Sequence, residues 1–468
     1  MKTGVVFMPK ILLICKCIFY TFLFFIIISP LSIAYENGED GRISAGKDYS
    51  LFIDDNGDVW AWGNNFSGKL GYDNTNLDKV YPVKIAAFNG KNITKILAGC
   101  NNSFAVDKDD NLWAWGENLL NYLGVGLGGE EVEECCQENT GSDYKNEIYN
   151  PTVIPEVKKV YNVTTSCNHT LILTNNNEFK VYAWGEGYLG QLGINDRNRS
   201  YVYKPMEVYN LKDVIDVSAG NSFSLALKKD GNVYTWGDNQ YGQLGINFTL
   251  LSPHFPPPNE LFIMPLRSWI NNMIHYTSKY TIVPLQTDKP AEIKKLEVVD
   301  VSAGGDHALA LLEDGTVWAW GRNDMGQLGD KKTYNFTNVP VKVILPDNTT
   351  IESISAGQNH SLALDNNGNV WAWGDNSFKQ IGNNKTDKKG YCTLPVKVSG
   401  LTDIIEISAG ANHNLALDGN GSLYGWGSNK YGQLGQYKNN LIIEEPQKIE
   451  ITEKDQPAYI LPRLTPKE

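Results

Sequence analysis

The sequence has few of the side chains that usually build catalytic and metal centres. It contains six histidines and seven cysteines among 468 residues, and none of their spacings resembles a zinc site. The sequence has no nucleophile elbow, phosphate-binding loop or metalloprotease helix. We therefore expect a protein that is not an enzyme and that needs no cofactor and no metal.

Positive charge is also scarce. The chain has 41 lysines and arginines against 53 aspartates and glutamates, which gives a formal net charge of −12. Proteins that bind nucleic acid or anionic membranes need clustered positive charge. The charge balance therefore predicts a partner that is neither nucleic acid nor, once the leader is removed, a membrane.

The N-terminus carries the apolar run that indicates export. Residues 1–34 contain three lysines and no acidic residue, are apolar from Ile18 to Ile28, and end in Ser32-Ile33-Ala34. This arrangement is typical of a cleaved signal peptide. A retained anchor is the alternative, disfavoured because the apolar run is short for a membrane span. We expect the mature protein to be secreted.

What the sequence has in abundance is one repeated dipeptide. Trp-Gly occurs seven times, and most neighbouring copies are 52 or 53 residues apart. A repeat of this length predicts an architecture built from similar units. The tryptophans of these pairs are Trp62, Trp115, Trp184, Trp236, Trp320, Trp373 and Trp426.

Each unit has the pattern of short strands joined by tight turns. Turns such as Asp55-Asn56-Gly57-Asp58 and Asn366-Asn367-Gly368-Asn369 favour hairpins. In Val59-Trp60-Ala61-Trp62 the small side chains share one face and the indoles the other, so both faces are expected to be covered. The pattern predicts an all-β, seven-bladed β-propeller of four-stranded antiparallel blades, with indoles packed against alanines of neighbouring blades.

The ends of the repeat region predict how the ring closes. The first unit lacks a proline-led strand, and the last such run, at Pro446, is expected to supply it. Pairing of the N- and C-terminal strands would then close the ring and remove exposed sheet edges. The propeller is expected over residues 35–451, with a tail at 452–468. The proline-led runs start at Pro82, Pro151, Pro205, Pro290, Pro340, Pro395 and Pro446.

The repeat unit resembles that of the regulator-of-chromosome-condensation family. In the sixth unit the motifs are Ser-Ala-Gly at 355–357, His-Ser-Leu-Ala-Leu at 360–364 and Val-Trp-Ala-Trp-Gly at 370–374. The last motif of the repeat is Gly-Gln-Leu-Gly, which the seventh unit has at 432–435. The resemblance covers about residues 42–451 and implies a seven-bladed propeller that binds other proteins. It does not imply one activity, because function depends on the site and not on the fold.

Two functions compete. The leading hypothesis is a secreted, monomeric, non-enzymatic propeller that binds another protein or a surface polymer. Enzyme inhibition is one version, because the resemblance includes a secreted bacterial inhibitor of β-lactamases. The alternative is guanine-nucleotide exchange on a small GTPase, which the founding eukaryotic member performs. The expected signal peptide and the negative charge favour the first hypothesis.

Departures from the repeat are the expected binding regions. One insertion, at about 126–150, is acidic, and another, at about 249–289, is apolar. An exposed apolar cluster favours a partner-binding surface, and a lid over one face is the equal alternative. The fifth residue after each repeat tryptophan is mostly bulky and apolar, which indicates either packing or recognition. The predicted partner-binding residues are Phe262, Met264, Trp269, Tyr276, Tyr241, Phe378 and Tyr431.

The histidines have a structural interpretation. His169, His307, His360 and His413 share one repeat position, which other units fill with Tyr, Asn or Phe. A position with such varied occupants indicates packing rather than a shared catalytic base.

The cysteines leave alternatives open. Cys100 and Cys167 occupy matching positions in adjacent units, so either a disulfide or two small buried residues would fit. Cys135, Cys136 and Cys392 complete the five outside the leader. Because five is odd, at least one thiol stays unpaired within the chain.

Overall fold

The computed structural model of the chain contains seven antiparallel β-sheets. Each sheet is built from consecutive strands, and the first strands of neighbouring sheets contact one another around a ring. The predicted all-β, seven-bladed propeller with four-stranded antiparallel blades is confirmed. The described residues are 41–72, 75–118, 123, 147–176, 178–246, 276–277, 280–290, 294–383, 390–436 and 441–452.

The first four blades follow the chain from its N-terminal side. Blade one contains β1 (Ile43–Ala45), β2 (Tyr49–Ile53), β3 (Val59–Gly63) and β4 (Lys79–Lys84). Blade two contains β5 (Ile93–Ala98), β6 (Asn102–Asp107), β7 (Leu112–Glu117) and β8 (Glu147–Val153). Blade three contains β9 (Val160–Thr165), β10 (His169–Thr174), β11 (Val181–Glu186) and β12 (Tyr201–Glu207). Blade four contains β13 (Val214–Ala219), β14 (Phe223–Lys228), β15 (Val233–Asp238) and β17 (Tyr280–Gln286), with the two-residue β16 (Tyr276–Thr277) beyond β17.

The remaining three blades repeat the arrangement. Blade five contains β18 (Val298–Ala303), β19 (His307–Leu312), β20 (Val317–Arg322) and β21 (Phe336–Lys342). Blade six contains β22 (Ile351–Ala356), β23 (His360–Asp365), β24 (Val370–Asp375) and β25 (Tyr391–Lys397). Blade seven contains β26 (Ile404–Ala409), β27 (His413–Asp418), β28 (Leu423–Ser428) and β29 (Ile442–Ile449). In the described part of the chain, the helical segments are two 3-10 turns, Phe66–Gly68 and Ala86–Phe88.

The repeated Trp-Gly dipeptide marks a register shift between the third and fourth strands. In blade five the shift lies between Ala319 and Gly321, and each other blade shows the equivalent shift. Gly321 has φ +100°, and a Cβ there would lie 2.8 Å from the Cα of His307 on the second strand. Glycine is therefore required, because an L side chain fits neither the backbone conformation nor the approach.

Indole rings join each blade to the preceding one. Trp373 of blade six is buried among Leu309, Val317 and Ala319 of blade five. Its Nε1–H donates to the carbonyl oxygen of Gln327, 2.8 Å away, in the Gly-Gln-Leu-Gly loop of blade five. The predicted packing of indole against alanine is confirmed, and the indole N–H has its acceptor. Equivalent bonds of 2.8–2.9 Å join Trp62 to Gln433, Trp115 to Lys69, Trp236 to Gln191, Trp320 to Gln243 and Trp426 to Gln380.

The histidine position forms a second interblade contact. The Oγ of Ser361 in blade six donates to the carbonyl of Gln327 at 3.0 Å, so Nε2–H of His307 in blade five donates to that Oγ, at 2.9 Å. Blade four has Phe223 at the histidine position, and blade five has Ala308 at the serine position facing it. Both polar partners are therefore replaced together by apolar ones, which supports the packing interpretation.

The ring closes differently from the expectation. β29, with Pro446, pairs with β28 in blade seven, and β4, with Pro82, completes blade one. The predicted pairing of terminal strands is wrong, because each proline-led strand belongs to the blade whose Trp strand precedes it. Packing of blade one against blade seven closes the ring instead. Across this contact the N–H of Ala45 donates to Ser408 Oγ at 2.9 Å.

The outermost strand of blade four also differs from the expectation. It is β17, which contains Pro284, so the strand predicted at Pro290 is wrong. The pairing of Thr281 with Gly237 gives β17 the same alignment to its Trp-Gly turn as in the other blades. Register against the third strand decides the position, and sequence similarity to a proline-led run does not. Both predicted insertions consequently end earlier than expected, because β8 starts at 147 and β17 at 280.

The close approach of Gly329 to the indole of Trp373 generates a stability prediction. Gly329 has φ +64°, and a Cβ there would lie 2.9 Å from the indole Nε1. Gly329→Ala should lower the free energy of unfolding by about 3–5 kcal/mol, because backbone strain and overpacking add. The matched control is Gly400→Ala, at φ +70° with nothing within 4 Å of the added Cβ, which should lose only the strain of about 1–2 kcal/mol. Urea unfolding measures the free energy of both variants. Equal losses would show that the close approach of Gly329 to Trp373 does not contribute to stability.

The buried histidines generate a pH prediction. Burial lowers the pKa of His169, His307 and His413 from 6.5 to about 3, and it also lowers the pKa of His360. Between these values the unfolded chain binds more protons than the folded one, so stability is complete above pH 6.5 and falls as the pH falls. His169, His307 and His413 should each remove about 1 kcal/mol between pH 7 and pH 5.5.

The check compares urea unfolding of the wild type and of the double variant His307→Phe, Ser361→Ala at both pH values. The double variant reproduces the natural Phe223 and Ala308 pair, so it should fold and lose one histidine's share of the pH dependence. An unchanged pH dependence would contradict the assignment of acid sensitivity to these side chains.

Candidate functional site

The loops of the propeller leave it at two opposite ends. Because consecutive strands are antiparallel, the loop between the first and second strands and the loop between the third and fourth strands share one end. We call this end the loop face; in blade five it comprises residues 304–306 and 323–335. Both predicted insertions lie in the sequence between a third strand and a fourth strand.

A hydrogen-bonded scaffold shapes the loop after each repeat tryptophan. In blade six, Asn376 Oδ1 accepts a bond from the N–H of Ile381 at 3.1 Å, and Gln380 Oε1 accepts one from the N–H of Phe378 at 2.8 Å. Gln380 Nε2 donates to Asp375 Oδ2 at 3.0 Å. The scaffold thus fixes the backbone of the fifth residue after the tryptophan. Equivalent glutamines bond the N–H groups of Leu189, Tyr241, Met325 and Tyr431.

Three predicted partner-binding residues lie on this scaffold. Phe378 is 39% exposed, and Tyr241 and Tyr431 are half-buried. They belong to blades six, four and seven, so they are spread around the rim of the loop face. Their role in binding a partner stays a prediction.

The other four predicted residues belong to the second insertion. Phe262, Met264 and Trp269 lie outside the described residues. Tyr276 begins β16, where its backbone pairs with Thr281 of β17. The binding role of these four also stays a prediction.

The loop face carries a set of carboxylates that the sequence analysis did not single out. The residue two positions after the repeat tryptophan is acidic in four blades. Loops between first and second strands add Asp48 in blade one and Asp306 in blade five. Aligning the repeats would have shown this recurrence, since the acids occur at one position per unit. The four carboxylates after the tryptophans are Glu117, Glu186, Asp238 and Asp375.

Two of these carboxylates lie where blades four and five meet. Burial raises the pKa of Asp238, although Gln243 Nε2 donates to its Oδ2 at 3.0 Å. Burial also raises the pKa of Asp306, although Arg322 opposes the shift. Desolvated carboxylates of this kind interact strongly with a cationic partner group that displaces the remaining water.

Arg322 is held in place between Asp306 and Asp324. Its Nη2 pairs with Asp324 Oδ2 at 2.6 Å, and its Nη1 lies 3.3 Å from Asp306 Oδ2. The guanidinium carbon lies 5.0 Å from the centre of the Tyr241 ring. A fixed arginine stacked on a tyrosine, beside carboxylates, has the composition of a protein-recognition surface.

Blade one has Lys69 at a position where five other blades have glutamine. The Lys69 side chain is 1% exposed, and its Nζ pairs with Asp48 Oδ1 at 2.6 Å. The Nζ also donates to the carbonyl of Cys100 at 3.0 Å and to Asn101 Oδ1 at 3.3 Å. Burial lowers the pKa of Lys69, and the charge of Asp48 opposes the shift. Lys69 therefore joins blades one and two at the loop face.

The cysteine alternatives are resolved for one pair. Cys100 and Cys167 form a disulfide between loops of blades two and three, with Cα atoms 4.9 Å apart. Cys392 is buried in blade six and takes no part in a disulfide. Cys135 and Cys136 lie outside the described residues.

Over the described ranges, no group of three or more His, Cys, Asp or Glu side chains is placed to hold a metal ion. A helix with the length and apolar character of a membrane span is likewise not found among those residues.

Comparison with known proteins identifies the family. The sequence profile of the RCC1-like domain matches residues 31–268 and 271–460, so the chain belongs to the RCC1-like domain family. The guanine nucleotide exchange factor SRM1 of Saccharomyces cerevisiae is 25% identical over 434 residues, which cover 84% of this chain and 83% of SRM1. The human E3 ubiquitin-protein ligase HERC2 is 29% identical over 408 residues, which cover 84% of this chain but only 7% of the ligase.

A solved structure shares the fold. The crystal structure of Prp20p from Saccharomyces cerevisiae matches 90% of this chain and 90% of its own, with a TM-score of 0.68 and 23% identity. Prp20p is described with its binding properties to Gsp1p and histones. At this identity the likeness shows the fold alone.

These comparisons correct the leading functional hypothesis. A secreted, non-enzymatic inhibitor or surface-binding module is wrong, because a relative that matches over most of its length is an exchange factor. The comparisons favour the alternative, guanine-nucleotide exchange. The low count of catalytic residue types did not distinguish the two hypotheses, because nucleotide exchange needs binding groups and no covalent chemistry. The expectation that the chain is not an enzyme stays a prediction.

Secreted localisation is also wrong. SRM1, which matches over most of its length, is a guanine nucleotide exchange factor, and guanine-nucleotide exchange takes place inside the cell. The apolar run that suggested export lies in residues 1–34, outside the described residues. Its assignment as a cleaved signal peptide therefore stays a prediction.

The buried lysine generates a prediction about the loop face. Lys69→Met should lower the free energy of unfolding by about 2–4 kcal/mol, because it leaves the Asp48 carboxylate and two acceptors without their donor. Lys69→Gln restores the residue that five other blades use, so it should lose less than half as much. Urea unfolding decides between them, and equal losses would mean that the pairing with Asp48 contributes nothing beyond packing.

Proposed function

We propose that this chain binds a small GTP-binding protein through its loop face and accelerates release of the bound guanine nucleotide. The observation that carries the proposal is the match to SRM1, a guanine nucleotide exchange factor, over 84% of this chain and 83% of SRM1. A match of that extent includes most of the propeller. The match to HERC2 covers 7% of the ligase, so it supports a shared domain and not a shared activity.

The charge of the loop face supports the proposal. GTP-binding proteins of the P-loop class hold the nucleotide phosphates with a lysine and backbone N–H groups. When the nucleotide leaves, those positive groups lose their counter-charge. Carboxylates such as Asp238, Asp306 and Glu117 on the loop face would stabilise them in its place.

Thermodynamic linkage requires that such a surface bind the nucleotide-free partner preferentially. A protein that binds the nucleotide-free partner more tightly than the nucleotide-bound one lowers the partner's affinity for nucleotide by the same factor. Preformed geometry helps, because a rigid site loses less entropy when it binds. The scaffold bonds of Gln243 and Gln380 to the loop backbone supply that rigidity.

Release of a fluorescent GDP analogue from purified Gsp1p tests the proposal. Gsp1p is the probe because a structural relative binds it. Substoichiometric amounts of the full chain should accelerate release at least about tenfold, the effect of roughly 1.4 kcal/mol of preferential binding. The double variant Asp238→Asn, Asp306→Asn should lose most of this acceleration, because its carboxylates no longer compensate cationic groups of the partner.

The matched control is Asp347→Asn, an exposed acid in the loop from β21 to β22 at the opposite end of the propeller. It should retain the wild-type rate, so that a loss confined to the loop-face variant locates the interaction. Absence of both binding and acceleration, or recovery of the tagged full chain only from the culture medium, would reject the proposed function.

A further inference from the structure

The contact between blades two and three lacks hydrogen-bonding groups that other blade contacts have. Where blades five and six meet, the N–H of Ala356 donates to Ser302 Oγ at 3.0 Å. Blade two has Leu97 at the position of Ser302, so no hydroxyl is available there. Blade two also has Asn102 at the histidine position, and the buried Oδ1 of Asn102 has no partner among the described residues. The polar contacts that join these two blades are therefore reduced.

The disulfide lies at this same contact. Cys100 and Cys167 join the loops that follow the first strands of blades two and three. Cys167 is exposed and Cys100 is half-buried, both at the loop face. A small thiol can therefore reach the bond without unfolding the propeller, and reactivity of a disulfide depends on such access.

The loop of Cys100 is connected to the carboxylates of the loop face. The carbonyl of Cys100 accepts from Lys69 Nζ, which also pairs with Asp48. The neighbouring Asn101 Nδ2 donates to Glu117 Oε2 at 3.0 Å, and the Asn101 carbonyl accepts from the N–H of Glu117 at 2.8 Å. Movement of the Cys100 loop would therefore displace Asp48, Lys69 and Glu117 together.

We propose that Cys100 and Cys167 form a redox-responsive site that controls the geometry of the loop face. In the reduced state the contact between blades two and three is loosened, and the carboxylates at Asp48 and Glu117 lose their fixed positions. In the oxidised state the bond restores them. The control of partner binding rests on the proposed function, since it concerns the same loop face.

The chemistry is ordinary thiol–disulfide exchange with a cellular monothiol such as glutathione. One thiolate attacks a sulfur of the Cys100–Cys167 bond and forms a mixed disulfide, and the other cysteine leaves as a thiolate that takes up a proton. A second glutathione thiolate then resolves the mixed disulfide and releases the second cysteine thiol. Two glutathione thiols are oxidised to glutathione disulfide, and one protein disulfide is reduced to two thiols. A protein inside the cell meets a reducing thiol pool, so the bond would form when oxidant rises.

The test uses the purified full chain equilibrated with reduced or oxidised glutathione. Alkylation followed by peptide mapping should show Cys100 and Cys167 both blocked after reduction and both protected after oxidation. The thermal midpoint should fall by about 3–6 °C on reduction, because a 67-residue loop is no longer closed in the unfolded chain. Hydrogen exchange at residues 99–102 and 165–169 should accelerate. The oxidised form should stimulate nucleotide release from Gsp1p about threefold or more over the reduced form, because its site is preorganised.

Two variants complete the design. The double variant Cys100→Ala, Cys167→Ala should have the thermal midpoint and hydrogen-exchange rates of the reduced wild type. Oxidised glutathione should not change them. Cys392→Ser removes the buried cysteine of blade six and should respond as the wild type does. Failure of oxidised glutathione to protect the two thiols, or identical midpoints and exchange rates in both states, would overturn the redox-responsive site. If neither form stimulates release, the proposed function fails, while the melting and hydrogen-exchange measurements still decide the redox response.

Discussion

A buried indole packs each blade against the preceding one. Six of these indoles, those of Trp62, Trp115, Trp236, Trp320, Trp373 and Trp426, each donate a hydrogen bond to a loop carbonyl of the preceding blade. At Trp373 the acceptor is the carbonyl of Gln327, which also accepts a bond from Ser361. A buried N–H without an acceptor is strongly destabilising, so the indole packs correctly only when the Gly-Gln-Leu-Gly loop is in place. The same loop then presents Met325 at the loop face through the side chain of Gln327. Core packing and the geometry of the binding surface therefore depend on one interaction.

The other polar and apolar contacts between neighbouring blades differ in chemistry from one contact to the next. Three contacts use a histidine and a serine, and blades six and seven use His360 and Asn414. Blades four and five use Phe223 and Ala308, and blade one contributes Lys69 where glutamine is usual. Blades two and three add the Cys100–Cys167 bond. In a ring of similar units each blade contacts only its neighbours, so a local exchange of partners can be compensated locally. Variation at the contacts thus leaves the ring intact while it changes the charge of the loop face.

Part of the fold could be predicted from the residues themselves. Seven Trp-Gly pairs indicated seven blades, and the alternation in Val59-Trp60-Ala61-Trp62 indicated a strand covered on both faces. Pro446 and Pro290 were assigned wrongly because proline-led runs look alike locally, whereas membership of a blade depends on register against its Trp strand. Asp238 was not recognised, because one acid among 53 has no local signature and its recurrence shows only when the repeats are aligned. Asp306 shares its repeat position with one other acid, Asp48, which is a weaker signal. The sequence did not decide whether Cys100 and Cys167 form a disulfide, because spacing in sequence does not determine separation in space.

By itself, the sequence determined the number of blades, the strands within them and the glycines at their turns, because those features depend on residues a few positions apart. Only the tertiary structure decided which strand completes each blade, which carbonyl receives each indole, and which acids and cysteines share the loop face. The fourth strand takes its place by register against the third strand of its own blade. The contacts between blades mostly join residues about fifty positions apart, which become neighbours only when adjacent blades pack. Function followed the same division: the composition and the apolar leader pointed to a secreted binding protein, whereas similarity over 84% of the chain supports nucleotide exchange.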